Sequence, residues 1–359
     1  MSRRVASFYR RVYEAANYRL RGLAGGRWAA YCRPTSVAVL LTERCNARCV
    51  HCDIWKNRGQ EDSPSVDQWK TVLEDLRHWL GSVQVTLTGG EALLRPFTPE
   101  LVAHGTSLGL FVEVLTHGYW PDQSRIEKLA SAKPWRVTVS LDGIGDTHSS
   151  IRGRAGFFQC TATSIQTLKR VRREHRLDLA IRLKNVLMEH NLHDACSVAR
   201  FAHENGAEVF YQPIEQNYNT PEDPRWFESS GNWPKDPSKA VSVVKNLIEL
   251  KRAGLPIKNS YAQLRAMIAY FRNPDASRVA TQSHTAHESR QFCAALTNLQ
   301  LQANGDVTNC AGRPPIGNIK ASSIRRIWAS RPRAWQDNCC LDSRRSDSEK
   351  HARLLPTGI

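Results

Sequence analysis

Val37-Ala-Val-Leu-Leu-Thr42 is followed two residues later by Cys45-Asn-Ala-Arg-Cys49-Val-His-Cys52. The first stretch is apolar and β-rich, and reads as a buried strand. The second places three thiols within eight residues, in the pattern C-x3-C-x2-C. Sites of α/β proteins form at the carboxyl ends of strands, where this loop falls. Clustered thiolates select a soft metal centre. A structural zinc site wants four ligands, and the next cysteine, Cys160, is over 100 residues away. Three cysteines on a cubane [4Fe–4S] cluster leave one iron free to bind a small molecule. An incomplete zinc site, or plain buried thiols, is the competing reading.

Working outward, β-rich runs recur at Val37–Thr42, Val83–Thr88, Leu110–Thr116, Arg136–Leu141, Leu179–Val186 and Glu208–Pro213. Helical patterns separate them. Ser65–Leu80 opens with a capping box of Ser65 and Gln68. Thr163–His175 and Asp194–Asn205 are two more, and Gly206 stops the latter. Six strands with intervening helices predict parallel βαβ units. The expected fold class is α/β, a partial (β/α)6 barrel with a small C-terminal cysteine-rich module.

The three-cysteine loop, taken with the stretches that follow it, resembles the radical S-adenosylmethionine (radical SAM) superfamily. His51 stands where that family carries an aromatic residue. After the second strand comes Thr88-Gly89-Gly90-Glu91, which is similar to the family's GGE element. Two glycines let a backbone approach a ligand closely, and Glu91 offers a carboxylate to the SAM ammonium. The fourth strand ends in Ser140-Leu-Asp142-Gly143, where the family places polar contacts to SAM. His148-Ser-Ser-Ile-Arg152-Gly153 resembles an H-x3-RG stretch whose arginine pairs with the methionine carboxylate. Asn191 and Gln212 resemble further SAM-contacting positions. Thr116-His117-Gly118 departs from the family's more usual Thr-Asn-Gly.

Cys293-x11-Gly305-x4-Cys310, then Gly317-Asn318-Ile319 and Cys339-Cys340, resemble the SPASM/twitch extension of such enzymes. Four late cysteines suffice for one auxiliary [4Fe–4S] cluster at most. A hairpin is expected at Leu299–Ala303 and Asp306–Thr308 around Asn304-Gly305. Cys32, Cys160 and Cys196 are isolated and read as small buried hydrophobes.

The resemblance implies that a cluster on Cys45, Cys49 and Cys52 reduces bound SAM, yielding a 5′-deoxyadenosyl radical that takes a substrate hydrogen. No catalytic residue beyond the cluster is assigned. The chain carries no flavin or nicotinamide motif, so a flavodoxin- or ferredoxin-like donor is implied. The substrate expected first is a small or lipid/sugar-like molecule; a peptide maturase is the alternative. A non-catalytic iron–sulfur protein is the third reading, and the intact GGE element argues against it.

Composition sets the outer bounds. The chain has 359 residues, with 41% apolar and 23% charged, which excludes global disorder. No apolar run is long enough to span a membrane, and no secretory signal opens the chain. A cytoplasmic location is expected. The net charge of +16 favours an anionic partner, but no zinc-finger spacing or aromatic motif supports nucleic-acid binding. The expected segments are a basic helical piece at 1–33 and a core at 34–215. A connecting region at 216–290 precedes the auxiliary module at 291–342 and a charged tail at 343–359. The first segment is expected to pack on the core with its arginines in water, rather than to lie on a membrane surface. The Pro- and Trp-rich stretch at 214–237 reads as a lid or a surface excursion. Residues 273–290 read as loose and polar.

Overall fold

The computed structural model describes residues 8–17, 31–57, 62–221, 223, 225–274, 297–309 and 314–331. Six parallel strands follow the β-rich runs closely: β1 (Ser36–Leu40), β2 (Gln84–Thr88), β3 (Phe111–Thr116), β4 (Arg136–Ser140), β5 (Ala180–Leu187) and β6 (Glu208–Pro213). They lie side by side in sequence order, each pair parallel. Parallel neighbours need crossovers, and helices provide them. These are α2 (Val66–Leu80), α3 (Thr98–Ser107), α4 (Ser124–Ser131), α5 (Asp146–Ile151), α6 (Phe157–Glu174) and α7 (Ala195–Glu204). α1 spans residues 8–17.

Local chemistry explains the helix ends. The Ser65 hydroxyl accepts from the Gln68 N–H while the Gln68 side chain accepts from the Ser65 N–H, closing the capping box at the start of α2. Trp69, Val72, Leu73, Leu76 and Leu80 form its buried stripe. α6 begins at Phe157, six residues before the sequence pattern shows it, because Gly156 turns the chain at φ 73°.

Burial alternates strictly along β5. Ile181, Leu183 and Leu187 lie under the helices, while Arg182, Lys184 and Val186 face the barrel lumen. The lower lumen is closed by charge. Glu113 accepts from Arg136 Nε and Nη2 at 2.7 and 2.6 Å and from Thr138 at 2.5 Å. Arg182 donates to Glu208 at 2.8 Å. Burial raises the Glu113 carboxyl, but Arg136 outweighs it and holds the group below the usual range. α1 sits against this end: Arg10 donates to Gln84 at 2.9 Å and lies over the Phe111 and Trp135 rings. Arg11 is exposed, but Arg10 turns inward, and Phe8, Tyr9 and Val12 are exposed as well.

The late segment does not form a sheet of its own. β7 (Asn298–Leu301) pairs in parallel with β1, and β8 (Asp306–Thr308) and β9 (Gly317–Asn318) continue antiparallel, giving nine strands in one sheet. The expected hairpin forms, with Gly305 at φ 90°. The stretch after β6 is not a free lid. Trp226, in α8 (Trp226–Ser229), packs with Phe227 and Trp233. Trp233 in turn meets Tyr270 and Phe271 of α10 (Tyr261–Arg272), which packs beside α9 (Pro237–Arg252). α11 (Ile324–Ala329) covers α2. No helix among the described residues is long and apolar enough to cross a membrane. The stretch 275–290, most of the segment expected to be loose, lies outside the described residues, as do Cys293, Cys310, Cys339 and Cys340.

Candidate functional site

Parallel strands bring their carboxyl ends to one rim, and the predicted residues gather there. Cys45, Cys49 and Cys52 share the loop after β1 and pack around Ala47 and Phe157. All three are unpaired thiols. Burial pushes Cys45 up to about 12 and Cys52 up to about 11, and raises Cys49 as well. Such thiols stay protonated until a metal displaces the proton. Among the described residues, no three His, Cys, Asp or Glu side chains close on one metal-ion position. Ligands on three corners of a cubane stand further apart than ligands on one ion, so the donor set suits a cluster better than zinc.

Three supports fix this loop. The first is the GGE turn. Gly90 N–H donates to Thr42 O at 2.7 Å and Glu91 N–H to Arg44 O at 2.9 Å. A Cβ on Gly89 or Gly90 would stand 2.3 Å from the carbonyl oxygen of Thr42 or Arg44. The expected close approach therefore occurs, but to the chain's own backbone. Glu91 is buried and accepts from Leu93 N–H at 3.1 Å and from His117 N–H at 2.8 Å. Burial raises its carboxyl to about 7.

The second support is the Arg152-Gly153 turn. Arg48 and Val50 N–H donate to Arg152 and Ile151 carbonyls at 3.1 and 3.0 Å. A Cβ on Gly153 would lie 2.4 Å from Arg48 O. The Arg152 guanidinium meets Cys49 Sγ at 3.5 Å and Asp142 Oδ2 at 2.5 Å. Burial opposes its charge, but Asp142 and Cys49 outweigh that and keep it protonated. Arg152 in turn holds the buried Asp142 carboxyl below its usual range. His148 Nδ1 accepts from Asp142 N–H at 3.0 Å, and burial lowers this imidazole to about 3.

The third is the stretch after β6. Asp53 N–H donates to Tyr218 O at 2.9 Å, and Asn232 donates to Val50 O at 2.9 Å. The stretch stood out in the sequence, but its partners did not, because its contacts span up to 182 residues.

The remaining predicted residues divide. Ser140 is half-buried at the end of β4, and Gln212 lies near the end of β6. Asn191 is fully buried; its amide donates to Asp142 O and Val186 O, and its oxygen accepts from Met188 N–H. It braces the loops instead of facing the lumen. His51 sits on the cluster loop, and burial lowers it to about 4. His51 Nδ1, His148 Nε2, Arg152 Nε and Gln212 Oε1 are buried without a partner. Orphaned polar atoms are rare in a folded core. Three of these side chains, His51, His148 and Arg152, act on Asp142, and Arg152 reaches Cys49, which fits a polar ligand at this rim.

A parallel α/β barrel bearing three convergent thiols and a polar rim defines an enzyme that couples an iron–sulfur cluster to a small-molecule cofactor. The comparisons agree. Residues 39–194 match the radical SAM superfamily and form a radical SAM domain; that domain defines an enzyme that uses SAM and a [4Fe–4S] cluster. The AdoMet-dependent heme synthase of Methanosarcina barkeri (strain Fusaro / DSM 804) is 27% identical over 82% of this chain and 82% of its own. The PqqA peptide cyclase of Rhodopseudomonas palustris (strain ATCC BAA-98 / CGA009) is 33% identical over 45% of this chain and 41% of its own. The crystal structure of Streptococcus suis SuiB bound to precursor peptide SuiA shares the fold. It has a TM-score of 0.59 at 15% identity, over 89% of this chain and 70% of that one.

Proposed function

We propose that Cys45, Cys49 and Cys52 hold the cluster, that the surrounding rim binds SAM, and that the substrate is a peptide. One observation carries the site assignment: three thiols share one loop whose neighbouring polar atoms are buried and unpartnered. When bound, a cluster with one iron free of protein supplies an electron for reductive cleavage of SAM. The chain's own residues bind, orient and exclude water. The Arg152 guanidinium reaches Cys49 and is fixed by Asp142, so it places a positive charge beside the thiols. His51, Gln212 and Ser140 offer polar contacts at the rim. Gly89, Gly90, Glu91 and Asn191 act by shaping the loops that frame it. A flavodoxin- or ferredoxin-like protein is the proposed reductant, and the cytoplasm the proposed location.

The peptide reading replaces the small or lipid/sugar-like substrate expected from the sequence. Its support is the similarity to a peptide cyclase and the likeness in fold to a protein crystallised with a precursor peptide. A tetrapyrrole is the second reading, favoured by similarity to a heme synthase along most of both chains. Its carboxylates would suit a net charge of +16. The test offers the reduced enzyme a short peptide encoded beside its gene, and separately a propionate-bearing porphyrin. The peptide reading expects peptide-stimulated 5′-deoxyadenosine and a mass change in the peptide. Stimulation by the porphyrin alone would overturn it.

Cys293, Cys310, Cys339 and Cys340 are proposed to hold an auxiliary cluster. The described part of that segment supports this reading. Gly305 packs against Asn318 and Ile319, and Val307 pairs with Gly317, which gathers the motif around one hairpin.

A further inference from the structure

His117, where the family more often has asparagine, lies at the end of β3 and is almost fully buried. Its ring touches both halves of the site. The Tyr119 amide donates to Nδ1 at 2.9 Å. An amide N–H can only donate, so Nδ1 is bare and Nε2 carries the proton. Nε2 stands 2.6 Å from Asn46 Oδ1, between Cys45 and Cys49, and 3.3 Å from Glu91 Oε2 of the GGE turn. The His117 N–H donates to the same Glu91 oxygen at 2.8 Å. The ring is stacked on Trp120 and edge-on to Phe157, and Thr161 donates to its carbonyl at 3.1 Å. Tyr119, two residues on, packs on Phe157 beside the thiols. The imidazole is thus held between Trp120 and Phe157, with one polar edge toward the cluster loop and the GGE turn together.

We propose that His117 is a positioning residue that locks Asn46 of the cysteine loop to Glu91 of the GGE turn, so that the cluster and SAM are held in register. This rests on the radical SAM reading of the site. An imidazole is longer than the asparagine amide usual there, so it spans to Asn46 while its backbone still holds Glu91. Without the ring, Asn46, between Cys45 and Cys49, would lose its hydrogen bond to the end of β3.

The test uses full-length protein, reconstituted without oxygen, with SAM as the probe. Wild type, His117→Ala, Asn46→Ala and the double variant are compared. Asn46 is only half-buried, so its variant should fold even where His117→Ala does not. Readouts are iron content, SAM affinity, and the change in the reduced cluster's paramagnetic resonance signal on adding SAM. Each single variant is expected to keep its iron, weaken SAM binding by about tenfold, the effect of ~1.4 kcal/mol, and blunt the signal change. The double variant is expected to be no worse than either single one, the signature of one shared contact. His117→Asn, which returns the shorter amide, should recover little. SAM affinity within twofold of wild type in both single variants, or additive losses in the double, would overturn the proposal. A wild-type signal that ignores SAM would instead sink the underlying reading.

Discussion

At Gly90 and Gly153 a single hydrogen decides whether the cysteine loop can seat. A methyl on either would sit 2.3 or 2.4 Å from a carbonyl oxygen of Arg44 or Arg48. Backbone cannot yield as a side-chain tip can, so each Gly→Ala variant should lose at least about 1–3 kcal/mol of stability. Urea unfolding of the metal-free protein measures this; a wild-type midpoint would contradict it. Glu91 gives a pH signature at the same scale. Its carboxyl rises from 4.5 unfolded to about 7 folded through burial. The folded state therefore binds the extra proton, and the stability this confers is present below pH 4.5 and lost as pH rises through 7. Metal-free wild type should weaken between pH 5 and 8 by an amount that Glu91→Gln lacks. Parallel pH curves for the two proteins would refute this. The cysteine triplet was legible because its ligands are local in sequence. That Asn46, Glu91 and His117 meet was not, because only the pairing of β1, β2 and β3 brings them together.

Among the elements, the strands read well and their lining did not. Six β-rich runs showed in the sequence because the outward face of a parallel strand, covered by helices, is Val, Ile and Leu. The inward face of β3 to β6 instead carries Glu113, Arg136, Arg182 and Glu208, whose pairing follows from register alone. Removing one partner strands the other in the lumen. Arg136→Met should cost roughly 3–5 kcal/mol at neutral pH. That loss should shrink once acid protonates Glu113, whose carboxyl is held low in the fold. Denaturant midpoints at neutral and acid pH check both halves, and a pH-independent loss would contradict the second. β7 was legible as half of a hairpin, but not as the neighbour of β1. A strand's partner 262 residues away, as Asn298 is from Ser36, leaves no local pattern.

For the whole molecule, the question is how many clusters one chain carries. With both sites filled, reconstituted protein should hold about eight irons, two cubanes of four. The Cys293→Ala/Cys310→Ala pair should leave about four. Four irons in both proteins would remove the auxiliary site and leave the barrel untouched. Because β7 and β8 extend the core sheet, that variant also tests whether the late segment needs metal to fold.

The most direct measurement is chemical. Anaerobically reconstituted protein, given a strong reductant and SAM, should form 5′-deoxyadenosine and methionine in equal amounts, and Cys49→Ala should form neither. A fully iron-loaded wild type that returns its SAM intact would contradict the account.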